Sequence, residues 1–101
     1  MNDKELLELA AKAAGIEIGE LFQRRTTRVL YNGQAVYWNP LADDGDALRL
    51  AVKLGLSISC RLGTASAWTI SIEIEERYEA DPFAATRRAI VRAAAEIGRM
   101  K

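Results

Sequence analysis

Residues 38–56 read WNPLADDGDALRLAVKLGL, from Trp38 to Leu56, and the stretch divides at its three aspartates. Before them, Asn39-Pro40 ends the apolar run that closes on Val36-Tyr37-Trp38, because proline has no N–H to give to a strand ladder. After them comes a helix. Asp43 or Asp44 supplies the N-cap, Asp46 stands in the first turn where negative charge suits the helix dipole, and Gly55 is the stop. Ala47, Leu50, Ala51 and Leu54 form one apolar stripe and Leu48 and Val52 a second, leaving Asp46, Arg49 and Lys53 as the polar edge. So narrow a polar edge predicts a helix covered on most sides, lying between a sheet and a neighbouring helix or subunit.

Three aspartates around Gly45 also raise a metal reading. A calcium loop of the EF-hand type needs a bidentate glutamate at its twelfth position. Counting from Asp43, Asp44 or Asp46 reaches Leu54, Gly55 or Ser57, so that loop is excluded. A magnesium site, which needs only one or two carboxylates beside a phosphate ligand, stays as the sharper alternative to a helix start.

Outward from this centre, the N-terminal segment predicts a helix over 3–14. Asn2 and Glu5 have capping-box spacing, Leu6, Leu9, Ala10 and Ala13 share a face, and Gly15 ends it. Ile16–Arg25 fits either a strand or a short helical turn. Val29–Trp38 reads as a hairpin about Asn32-Gly33, the pair best suited to a two-residue turn with positive φ. On the other side, Leu56–Leu62 and Ala67–Glu76 alternate with period two and are joined by Gly63–Ser66. Their apolar positions are Ile58, Cys60, Trp68, Ile70, Ile72 and Ile74. Ser57, Ser59, Arg61, Thr69, Ser71, Glu73 and Glu75 make the other face polar. That face is either solvated or a groove, with Arg61 opposite Glu73 as an ion pair in the plainer case.

The last helix begins at Asp81-Pro82, a cap followed by proline at the first helical position, and Gly98 stands near its end. Phe83, Ile90, Ala94 and Ile97 form its core stripe, with Ala85, Ala89 and Ala93 beside it. The predicted order is α-β-β-α-β-β-α. This is one α+β domain over residues 1–101, an antiparallel sheet packed by helices, with no internal sequence repeat.

Composition narrows the chemistry. The 101 residues carry 14 Lys plus Arg and 14 Asp plus Glu, so the chain is not a general polyanion binder. There is no histidine, which removes Ser-His-Asp and Cys-His catalysis and His-ligated zinc. The single cysteine, Cys60, cannot form an internal disulfide, and together with the acidic N-terminus it points to a cytoplasmic protein. No apolar run approaches the roughly 18 residues of a membrane span. No cofactor-binding fingerprint occurs, and none is expected.

WNPLADDGDALRLAVKLGL, taken with DKELLELAAKAAG near the start and ATRRAIVRAAAEIG near the end, resembles small phage and prophage proteins of the phage αβα-sandwich domain family. The resemblance covers about two thirds of the chain. It implies a bacterial host cytoplasm and a phage accessory role, and it carries no catalytic motif to transfer.

Two function classes follow. The first is a non-catalytic binding protein, a homo-oligomer that antagonises host defence by sequestering a nucleotide signal or occluding a defence protein. Arg24, Arg25, Arg28, Tyr37 and Arg61 would contact the anionic ligand, with arginine offering bidentate bonds to phosphate. The second is a regulatory DNA-binding protein using segregated arginines such as Arg87, Arg88, Arg92 and Arg99, or a metal-dependent nucleotide-processing enzyme using Asp43, Asp44 and Asp46. The neutral balance of charge makes nucleic acid the less favoured partner.

Overall fold

In the computed structural model, which describes residues 1–18, 28–31 and 34–101 and the side chains of 1–17 and 37–101, helix α1 (Asp3–Ala14) has the bounds its sequence marks. Asn2 Oδ1 accepts from Glu5 N at 2.8 Å, and Asn2 Nδ2 donates to Glu5 Oε1 at 3.1 Å, so the capping box closes through side chains. Gly15 sits at φ 71°, which lets Ile16 N reach back to Ala11 O at 2.9 Å. Helix α2 (Asp44–Leu54) ends in the same way. Gly55 has φ 65°, and Leu56 N donates to Ala51 O at 2.9 Å.

Each of these endings opens a three-stranded antiparallel meander. The first joins β1 (Glu17–Ile18), β2 (Arg28–Tyr31) and β3 (Gln34–Tyr37). The second joins β4 (Ser57–Arg61), β5 (Thr64–Trp68) and β6 (Glu73–Arg77). Helix α3 (Pro82–Arg99) closes the chain. The α+β class is as expected, but among the described residues the order is α-βββ-α-βββ-α, with one more strand in each half. A helix, a left-handed glycine and a meander therefore occur twice without any sequence repeat. In the first meander Glu17 and Ile18 of the ambiguous segment are strand, its residues 19–25 lie outside the described residues, and Tyr31↔Gln34 pairing brackets residues 32–33 as the hairpin expectation requires. The Asn32-Gly33 turn itself lies outside the described residues.

The second meander departs from the expectation. The expected connector 63–66 contains most of a strand, because Gly63 at φ 84° lets the chain reverse over residues 62–63 alone, and Arg61 pairs directly with Thr64. The expected long strand 67–76 is cut by a second reversal, in which Thr69 N donates to Ile72 O at 2.8 Å and Ile70 lies fully exposed. That turn shifts the alternation. Ala65 and Ala67 point inward and are wholly buried, while Trp68 turns to the polar face.

Helix α3 lies over the inner face of β5 and β6, with α1 against its other side and α2 alongside. The alanines at 65 and 67, both wholly buried, let the helix come close to the strand. Gly98 stands near the end of α3, as expected, one residue before the helix closes at Arg99. It lies where the α1 backbone crosses, and a Cβ there would overlap the Leu9 carbonyl. Phe83, expected in the core, is exposed, as are Leu48 and Val52, the second apolar stripe of α2. Among the described residues no helix is long and apolar enough to cross a membrane.

Candidate functional site

The outer face of the β4–β5–β6 sheet follows from its register. Residues directly opposite in a ladder share a face, and each strand alternates. Three transverse rows result: Ser57–Trp68–Glu73, Ser59–Ser66–Glu75 and Arg61–Thr64–Arg77. Seven of these nine residues, all but Ser57 and Arg77, line a shallow basin of about 480 Å³ with hydroxyls along its middle. Among the described residues no helix packs on this side; α3 covers the other.

Charge is sorted along the face. Arg61 and Arg77 flank the Thr64 hydroxyl at one end, and Glu73 stands beside Trp68 at the other. Adjacent strands lie ~4.8 Å apart, so the two arginines start ~10 Å apart and can converge on one group above Thr64. Among the described residues neither arginine has a carboxylate within salt-bridge distance. The expected Arg61–Glu73 pair is absent because the extra reversal puts Thr64 opposite Arg61 and moves Glu73 to the far row. Two convergent guanidiniums and a hydroxyl are donors only toward an anion, and they suit phosphate or carboxylate.

The arginines of α3 are committed within the fold. Arg87 donates from Nε to Leu41 O at 2.9 Å and pairs with Asp44 at 2.6 Å, fastening the loop before α2 to α3. Arg88 bridges Asp3 and Glu76, Arg92 pairs with Glu76, and Arg99 pairs with Glu96. The α3 arginines are therefore a belt of ion pairs and not an open basic strip.

Of the five residues expected to bind ligand, the side chains of two, Tyr37 and Arg61, are among the described residues, and they stand in different sheets. Arg24 and Arg25 lie outside the described residues. Arg28 stands opposite Tyr37 in the first meander, where the Tyr37 side chain is exposed. Arg61 is in the other sheet, and among the described residues the basin it lines does not include Tyr37. Arg77 and Thr64 were missed. The signal that could have found them is Gly63, whose place two residues after Arg61 makes a tight turn and brings Thr64 into register.

The aspartates act as the helix start. Asp43 Oδ2 accepts from Asp46 N at 2.8 Å. Asp46 accepts from Asn39 N at 2.9 Å and from Arg49 at 2.7 Å, tying the proline turn to the helix. Among the described residues no group of three His, Cys, Asp or Glu side chains could hold a metal ion. No protein-family model, characterised protein or solved structure matches the chain.

Proposed function

We propose that the protein is a non-catalytic binding protein whose outer sheet face takes a phosphorylated small molecule, with the anion held by Arg61, Thr64 and Arg77. The observation that supports this is the pair of arginines on one open row, both without a carboxylate partner among the described residues, in a protein whose α3 arginines all have one. Trp68 on the same face offers an aromatic surface for a base, since stacking on indole tolerates any base. In a phage-accessory setting such a protein acts by sequestering a nucleotide signal; that wider reading rests on the sequence resemblance alone.

The test is a thermal-shift and equilibrium-dialysis series with ATP, adenosine and inorganic pyrophosphate. ATP and pyrophosphate are expected to bind, ATP the more tightly, and Arg61→Ala or Arg77→Ala to weaken both by tenfold or more. Equal binding to wild type and to the double variant would overturn the assignment. A pull-down from the host that recovers a defence protein on this face, with no small molecule, would replace it by the occlusion reading.

A further inference from the structure

The second meander has two edges, β4 and β6, and they differ in kind. Edge strands are ordinarily protected from self-pairing by charged side chains, proline, bulges or a covering element. β6 reads Glu-Ile-Glu-Glu-Arg, and pairing it antiparallel with its own copy would set Glu75 against Glu75 and Ile74 against Glu76. β4 reads Ser-Ile-Ser-Cys-Arg, is paired without a bulge from Ser57 to Arg61, and carries one charge, at its end. Its inner side borders an apolar groove of about 450 Å³ between α2 and α3, floored by Ile58 and Cys60 and flanked by Leu48 and Phe83. Those flanks are 59% and 68% exposed.

We propose that β4 pairs antiparallel with β4 of a second copy, centred on Ser59, to make a continuous six-stranded sheet. The register is self-complementary. A two-residue loop closes on the hydrogen-bonded pair Arg61↔Thr64, so Ile58 and Cys60 turn their N–H and C=O groups away from β5. Centred on Ser59, Ile58 of each chain meets Cys60 of the other, and the two exchange these free groups. Arg61 falls opposite Ser57, so no like charges face each other. On the inner side the joint brings together Ile58, Cys60, Leu48 and Phe83 from both chains and covers the groove.

This dimer also completes the site of the preceding section, and that part rests on the anion-binding reading. Across the joint one row now reads Arg77, Thr64, Arg61, then Ser57, Trp68 and Glu73 of the second copy. Within one chain Arg61 and Trp68 are four residues apart along the strand and one strand across, ~14 Å; across the joint they are two strand spacings apart, ~10 Å. Phosphates on the arginines, a ribose over Ser57, a base on the second copy's Trp68 and its amino group on Glu73 follow in the order in which a nucleoside polyphosphate presents them.

The dimer is tested first without ligand. Light scattering should give twice the 11.2 kDa chain mass for the wild type and the chain mass for Phe83→Glu, whose exposed position leaves folding intact. Ser59→Cys in a Cys60→Ser background should form an interchain disulfide on mild oxidation, because facing residues of a non-hydrogen-bonded pair have Cα atoms ~4.5 Å apart. Wild type itself should not, since Cys60 and its copy stand ~8 Å apart, beyond disulfide reach. A monomeric wild type, or no Ser59→Cys cross-link, overturns the dimer whatever binds. The shared site is tested by mixing Arg61→Ala with Trp68→Ala chains. ATP binding at wild-type affinity, which neither variant shows alone, should return at part of the sites in the mixture; if wild type binds ATP and the mixture binds no better than the variants, the site belongs to one chain.

Discussion

Gly98 of α3 stands against the Leu9 carbonyl of α1 so closely that a Cβ would overlap it, and the helices meet there backbone to backbone. The contact opposes helix propensity, which favours alanine over glycine by about 1 kcal/mol inside a helix. The obstructing atoms are main chain and cannot rotate aside, so Gly98→Ala should force the helices apart and cost about 1–3 kcal/mol net. Gly45 is the control. A Cβ there meets only the ends of the Arg49 and Asp43 side chains, at 3.1–3.2 Å. Gly45→Ala should be neutral or stabilise by about 0.5–1 kcal/mol. Urea unfolding of the two variants should therefore move in opposite directions or differ by more than 1 kcal/mol, as roughly the sum of these terms implies.

Ala67 is wholly buried where α3 rests on β5. Ala67→Leu adds methylenes to a space already filled and should lower stability by about 1–3 kcal/mol. Ser66→Leu, one residue along and on the open face, should change it by no more than about 0.5 kcal/mol. Equal losses from both would mean that α3 does not lie on this face.

Asp46 is mostly buried, and it receives the Asn39 N–H and the Arg49 guanidinium. Asp46→Ala leaves that amide without its acceptor and should cost about 1–3 kcal/mol. Asp46→Asn keeps an oxygen for it and should cost less. If the aspartates were instead a metal site, Mg²⁺ would raise the melting temperature of wild type and not of Asp46→Ala; no such difference is expected.

Arg61→Ala and Arg77→Ala should leave stability within about 0.5 kcal/mol, because neither side chain has an ion-pair partner to lose among the described residues. Arg92→Ala removes a partner from the half-buried Glu76 and should destabilise more than either. Loss of pyrophosphate binding at unchanged stability is the signature of an anion site; binding that falls as salt rises would accompany it.

Local chemistry was readable along the chain. Asn2, Asp43 and Asp81 cap their helices, Gly15 and Gly55 end theirs, and the alternation in β4 was assigned correctly, because each depends on neighbours a few residues away. The errors share one cause. Period two cannot register a turn that conserves the pattern, so Thr69–Ile72 passed for strand and Trp68 was placed on the wrong face. Gly63 was counted into a longer connector for the same reason, which hid Thr64 and Arg77.

Phe83, Leu48 and Gly98 show the other limit. Their types are those of core and helix-stop residues, and only the packing of α1, α2 and the sheet around α3 decides that two are exposed at a groove and the third is a crossing point. What the chain carried in itself was the class, the caps and the helix bounds, since these are settled within a turn or two of backbone. Which arginines are neutralised and which two stand open on one row depended on contacts across tens of residues, such as Arg88 with Asp3 and Arg87 with Asp44, and those exist only once the helices have packed.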